Sequence, residues 1–86
     1  MPASYSVFIK RSAEKELRAL GDSDRRRCVE AIRGLASNPR PAGCERLSGR
    51  DAWRIRVGAS RIVYSIEDAV LTVEVVKVGH RREVYR

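Results

Sequence analysis

Trp53-Arg54-Ile55-Arg56-Val57-Gly58-Ala59-Ser60-Arg61-Ile62-Val63-Tyr64 is the stretch whose reading decides the fold. Apolar residues alternate with other types on both sides of a Gly-Ala pair, the period-two signature of strands. Register then follows from parity. Residues directly across a sheet point to the same face, and a one-residue slip turns every side chain over. A three-residue loop would set Arg56 against Ile62 and mix the faces. A two-residue loop at Gly58-Ala59 sets Val57 opposite Ser60, Arg56 opposite Arg61, Ile55 opposite Ile62, Arg54 opposite Val63 and Trp53 opposite Tyr64. Gly at the first central position also suits a type II′ turn. One face of the predicted hairpin is therefore Trp53, Ile55, Val57, Ile62, Tyr64 and Ile66. The other carries Arg54, Arg56 and Arg61.

Like charges placed across a sheet are destabilising, by up to ~1 kcal/mol for a pair such as Arg56 and Arg61. A local rule broken in this way is where function is expected, and the planar guanidinium fork suits phosphate. The plainer reading is an arginine-rich solvent face that Glu74 partly neutralises. The next hairpin, turning near Glu67-Asp68-Ala69, brings Glu74 near Arg61 if its loop is even in length, and puts Leu71 and Val73 on the core face. Val76 and Val78 do not fit this parity. A bulge, or a strand buried on both faces, is expected there.

Upstream, Tyr5, Val7 and Ile9 alternate with Ser6, Phe8 and Lys10, which predicts a first strand whose second face is made partly apolar by Phe8. Ser12 is placed to cap a helix, and Glu14 and Glu16 suit the positive end of its dipole. Ala13, Leu17 and Leu20 share one helical face, and Gly21 is expected to stop the helix. Asp22 or Ser23 can cap a second helix with the stripe Cys28, Val29, Ile32, Leu35 and Ala36. Arg25, Arg26, Arg27 and Arg33 lie mostly on its wet side, with Glu30 in reach of Arg33 or Arg26. Asn38-Pro39-Arg40-Pro41-Ala42-Gly43 reads as a loop. The expected architecture is α+β: an N-terminal strand, a two-helix hairpin, then an antiparallel β-sheet after Leu47 with the helices packed on one face. Residues 1–86 suit one compact domain.

The chain carries a formal charge of +7 at 86 residues. A domain this basic draws polyanions, with nucleic acid the first candidate and an acidic protein the second. No run approaches the ~18 apolar residues of a membrane span, and Met1–Lys10 lacks the apolar block of a secretion signal, so a cytoplasmic protein without a membrane partner is expected. Two cysteines, Cys28 and Cys44, make no disulfide scaffold, and with the single His80 they cannot close a usual zinc site. Neither metal nor cofactor is expected. Cys28, at an apolar helix position, reads as a buried thiol.

The chain ends Val78-Gly79-His80-Arg81-Arg82-Glu83-Val84-Tyr85-Arg86. Cleavage of RNA by its own 2′-OH requires that hydroxyl to lose a proton, the phosphorane to be stabilised and the leaving 5′-oxygen to gain a proton. The sequence offers arginines for charge, His80 for proton transfer and Tyr85 for stacking on a base.

The order strand, two helices, Leu47-Ser48-Gly49, Trp53 to Gly58, Arg61 to Tyr64, then Val78-Gly79-His80-Arg81 and Val84-Tyr85 resembles the RelE/ParE toxin superfamily over essentially the whole chain. The tail resembles the RelE branch more than the ParE branch. The resemblance implies the toxin of a type II toxin–antitoxin system. Such a toxin is a metal-independent mRNA interferase that enters the ribosomal A site and leaves a 2′,3′-cyclic phosphate and a 5′-OH. It further implies a cognate antitoxin and a toxin–antitoxin heterotetramer or larger complex, besides the ribosome and mRNA. Carried onto this sequence, the catalytic set is Arg54, Arg56, Arg61, His80, Arg81 and Tyr85, with Arg25, Arg26, Arg27 and Arg82 as RNA contacts. The branch carries lysines where this chain has Arg54 and Arg56, and an arginine with a pKa above ~12 hardly gives up a proton. Either an arginine activates the 2′-OH electrostatically or His80 takes the proton role. Two other functions share the fold: a ParE-like inhibitor of DNA gyrase, and a degenerate toxin that only binds its antitoxin.

Overall fold

A computed structural model of the chain describes residues 4–49 and 51–80. Strand β1 (Ser6–Ile9) leads into helices α1 (Arg11–Arg18) and α2 (Asp22–Gly34). A short β2 (Glu45–Arg46), β3 (Trp53–Val57) and β4 (Ser60–Glu67) follow. A single 3-10 turn (Asp68–Val70) then leads into β5 (Thr72–His80). The five strands form one sheet in the order β1-β5-β4-β3-β2.

The hairpin register is the one that parity predicts: Trp53 pairs with Tyr64, Arg54 with Val63, Ile55 with Ile62, Arg56 with Arg61 and Val57 with Ser60. Gly58 adopts φ +60° while Ala59 stays out of the positive-φ region, which distinguishes a type II′ from a type I′ turn. The next turn also preserves parity, pairing Glu67 with Thr72. Its position nevertheless removes Leu71 from the core. That residue sits in the turn at φ +47° and is 40% exposed, while Val73 is buried. Glu74 lies across from Ser65 and Phe8, not near Arg61, whose partner on β5 is Gly79. Four residues separate Ser65 from Arg61, about 13 Å along the strand. Glu74 therefore faces the far end of the outer sheet surface and does not offset the arginine pair.

The expected irregularity in β5 is a bulge. Tyr64 pairs with Val75 and Val63 with Lys77, leaving Val76 as the additional residue. It resets the alternation, so that Val73, Val75 and Val78 are all fully buried. These valines join Ile62, Tyr64 and Ile66 beneath Ala13 and Leu17 of α1 and Cys28 and Ile32 of α2, with Leu35 just after it. The helices thus cover one face of the sheet.

The sheet is mixed. Strand β1 joins it as an edge, parallel to β5, with Ser6 beside Thr72 and Ile9 beside Val75. Beyond Val75 the edge of β5 passes under α1. There Glu16 accepts the backbone N–H of Val78 (3.0 Å) and the ammonium of Lys77 (3.1 Å). A carboxylate placed for helix polarity thus also covers an open strand edge. Helix α1 is preceded by Lys10 at the N-cap position and Ser12 lies inside it. Gly21 stands at the N-cap position of α2 in an extended conformation, so Asp22 and Ser23 belong to the first helical turn. The expected caps therefore fall one or two residues off, as helix ends commonly do. Arg25 explains how the interhelix turn is held: its guanidinium donates to the Leu20 carbonyl (3.1 Å) and pairs with Asp22.

Gly58 is the position where the turn needs a residue free of a Cβ. A Cβ there would meet only the Arg27 guanidinium at 3.5 Å, an ordinary contact, so the cost of Gly58→Ala is that of the backbone. We expect it to lower unfolding free energy by about 1–2 kcal/mol, measured as a shift of the urea midpoint at unchanged slope. An unaltered midpoint would show that the turn is not of this type.

Candidate active site

Arg54 and Arg56 on β3 and Arg61 on β4 are placed by strand alternation on the sheet face away from the helices. They line one concavity of about 360 Å³ with Ala42, Gly43, Glu45 and Ile55. Arg56 is exposed. The Arg54 side chain is 12% exposed and Arg61 only 2%. Arg61 lies on the central strand, and its burial is on the outer side of the sheet, not beneath the helices. Charge held where water is scarce acts on an anion more strongly than the same charge in bulk solvent.

The concavity contains one carboxylate that the sequence reading did not single out. Glu45 arrives on β2, directly across from Arg54, and accepts from its Nη2 at 3.1 Å. Its side chain remains 63% exposed. The site therefore joins three guanidinium groups and an accessible carboxylate. That is a combination able to bind a phosphodiester and accept a proton beside it. The two-residue strand that delivers Glu45 is too short to leave a period in the sequence. Its signal would have been an acidic residue in register with Arg54.

The other basic candidates lie elsewhere. Arg25 is engaged in the interhelix turn, and Arg26 and Arg27 are exposed on α2. Arg27 reaches the hairpin tip, its guanidinium 3.5 Å from where a Cβ of Gly58 would stand, and so carries positive charge to within two residues of Arg56. Glu30 pairs with Arg33 at 4.0 Å. The backbone of His80 pairs with Ser60 and that of Gly79 with Arg61. The side chain of His80, and Arg81, Arg82 and Tyr85, lie outside the described residues. Cys28 is fully buried against α2's partner strands, and burial pushes its thiol pKa up, against a weaker opposing hydrogen bond to Ser60. This is the reverse of what a nucleophilic thiol needs. Among the described residues no group of His, Cys, Asp and Glu is arranged to hold a metal ion, and no helix is long and apolar enough to cross a membrane.

Next to the site, the loop before β2 is fastened to the turn between β4 and β5. The Arg40 guanidinium forms a fork with Asp68 (2.8 and 3.2 Å), and the Tyr5 hydroxyl donates to the same carboxylate at 2.6 Å. Arg40 also lies over the Trp53 ring, 5.0 Å from its centroid. The buried Tyr64 hydroxyl donates to the Pro39 carbonyl at 2.7 Å; burial chiefly, and the neighbouring Cys44, hold that phenol well above its usual pKa.

A family model described as the ParE toxin of the type II toxin–antitoxin system parDE matches residues 7–85. Solved structures place the fold more closely. A chain of the archaeal RelE–RelB complex from Pyrococcus horikoshii OT3 superposes with a TM-score of 0.82 at 27% identity, covering 91% of this chain and 96% of that one. The isolated E. coli RelE toxin gives 0.77 at 30% identity, with 96% and 92% covered. The RelBE2 toxin–antitoxin complex of Mycobacterium tuberculosis gives 0.81 at 26%, with 94% and 95% covered. No curated protein sequence gives a significant match. The chain belongs to the RelE/ParE superfamily of type II toxins. Within that superfamily its fold is RelE-like, with two helices on a five-stranded mixed sheet.

The cluster around Asp68 carries a pH dependence. The hydrogen bonds from Arg40, then from Tyr5, hold the Asp68 carboxyl at about 2, below its ordinary 3.8. Because the folded value is the lower one, the cluster's contribution is complete above about pH 4 and is lost as pH falls toward 2. The Trp53 emission of the wild type and of Asp68→Asn should therefore differ at pH 5 and converge below pH 2. A difference independent of pH would mean that the carboxylate charge is not what the loop uses.

Proposed function

We infer that the chain is a ribosome-dependent endoribonuclease, the toxin of a RelBE-type pair, cutting mRNA in the A site. The observation that carries this reading is the convergence of Arg54, Arg56 and Arg61 with Glu45 in one concavity on the uncovered face of the sheet. The 2′-oxygen attacks phosphorus, the P–O5′ bond breaks, and the products are a 2′,3′-cyclic phosphate and a 5′-OH. Arg56 and Arg61 stabilise the negative charge of the phosphorane. Glu45, held by Arg54, resolves the difficulty that an arginine makes a poor base: its carboxylate accepts the 2′-OH proton. At the leaving oxygen, either His80 supplies the proton or Arg81 stabilises the developing charge while water protonates it, and Tyr85 stacks on a base. Arg26, Arg27 and Arg82 contact RNA phosphates. Arg25 joins them only through the part of its guanidinium not turned to the helix carbonyls.

A cognate antitoxin is the expected protein partner, in a heterotetramer or larger assembly. The support is that the structural relatives from P. horikoshii and M. tuberculosis are toxin–antitoxin complexes. The toxin then acts in the cytoplasm as one domain spanning residues 1–86. A second reading, inhibition of DNA gyrase, is favoured by the family model, which is that of a ParE toxin. It shares the fold and needs no cleavage chemistry. A toxin that has lost activity and only holds its antitoxin would share the fold as well.

The reading is tested by inducing the chain in bacteria and mapping mRNA 5′ ends. Cuts confined to translated transcripts are expected. Intact mRNA with DNA damage selects the gyrase reading, and normal growth selects the inactive one. Arg56→Ala and Arg61→Ala should each lower cleavage by about 10²–10³-fold. Arg56 is the more telling of the two, since it is exposed and its loss leaves the core intact. Full activity in Arg61→Ala would remove the assignment. Glu45→Gln should lower kcat and erase the acid limb of the pH–rate profile, and a profile unchanged in shape would exclude Glu45 as the base.

A further inference from the structure

The segment 38–44 has neither helix nor strand, yet Ala42 and Gly43 wall the cationic concavity and Glu45 follows at once. Pro39 is buried and Cys44 packs against the core, but between them Pro41 is only half-buried and Ala42 and Gly43 are exposed, so the stretch that forms the wall has no bulky side chain to anchor it. Within itself it holds two bonds: Arg40 N–H to Asn38 Oδ1 (3.1 Å) and Cys44 N–H to the Pro41 carbonyl (3.1 Å). It is tied outward by the Tyr64 hydroxyl at Pro39 and by the Arg40 fork on Asp68. Downstream, β2 contributes only Glu45 and Arg46, and so short a strand has little hold of its own.

We propose that the Arg40–Asp68 pair is a latch that positions the wall of the RNA site, so that Arg40 and Asp68 are positioning residues for cleavage although neither lines the concavity. The proposal rests on the RNA-cleaving reading given above. Arg40 is three residues from Gly43 and five from Glu45, and its guanidinium is held between Asp68 on one side and the Trp53 ring on the other. The carboxylate it grips is also bound by Tyr5, from the segment before β1. The wall is thereby referred to the N-terminus, the β4–β5 turn and β3 at once. The pair is also partly exposed, at 40% and 55% of the two side chains. Exposed ion pairs contribute little to global stability. Breaking this one therefore frees the loop while leaving the fold standing, and small displacements of groups around a reacting centre are costly.

The test uses the purified full chain with Asp68→Asn, Arg40→Gln and Arg40→Lys. Melting temperature reports the fold, emission of Trp53, the chain's single tryptophan, reports the latch, amide exchange across residues 43–47 reports the wall, and cleavage of translated mRNA reports function. Asp68→Asn and Arg40→Gln should melt close to wild type, shift Trp53 emission and speed exchange at the wall. KM should rise about tenfold with little change in kcat, the pattern of lost binding rather than lost chemistry. Arg40→Lys keeps the charge without the fork and should recover only part of the loss. Faster exchange with unchanged KM overturns the positioning role, as does a loss of activity that merely follows melting. If the wild-type chain cuts no RNA, the cleavage reading falls and exchange decides the latch: accelerated exchange in Asp68→Asn supports it, and unaltered exchange overturns it.

Discussion

The two-residue turn at Gly58-Ala59 holds the rest of the molecule in place. It fixes the parity of β3 against β4, and parity decides in one step which side chains enter the core and which form the site. Trp53, Ile55, Ile62 and Tyr64 go under the helices, and Arg54, Arg56 and Arg61 go to the opposite surface. No single residue in either set could be turned over alone, since the alternation binds them together. The bulge at Val76 extends the same constraint to β5. Without that residue, Val78 would face away from the helices that now cover it.

Because the core and the site are opposite faces of the same strands, packing and chemistry are coupled through backbone rather than through side-chain contacts. The helices need only an apolar surface to rest on, and the outer face is left free to carry charge. The arginine pair across β3 and β4 is unfavourable by itself. Among the described residues, Glu45 brings a carboxylate from a neighbouring strand to Arg54. Under the proposed cleavage reading, the carboxylate that steadies one guanidinium is also the one that takes the proton.

What was legible in the sequence was what repeats locally. The β3–β4 register, the two helical stripes and the irregularity near Val76 all follow from periods of two or about four residues, read over short windows. What escaped was contact between distant segments. Glu45 meets Arg54 through a strand two residues long, Arg40 meets Asp68 across 28 positions, and Glu16 meets Val78 across 62. Parity places Glu74 on the right face, but it fixes only the side of a sheet and not how far along it a residue lies. β1 could be recognised as a strand, but nothing local in it says that its neighbour would be β5, or that the two would run parallel. The resemblance to RelE toxins supplied the architecture, and it left the proton acceptor open because this chain has arginines where that branch has lysines.

Glu74 and Glu67 border a shallow hollow with Phe8, Ser65 and Thr72 at one end of the outer face, and the three arginines occupy the other. The surface therefore carries an electric polarity along its strands as well as a net positive charge. A polyanion nearing this face within about 8 Å, the screening distance at physiological salt, pulls on one end and pushes on the other. For such a ligand the attraction at one end and the repulsion at the other would act together to favour a concavity-first approach.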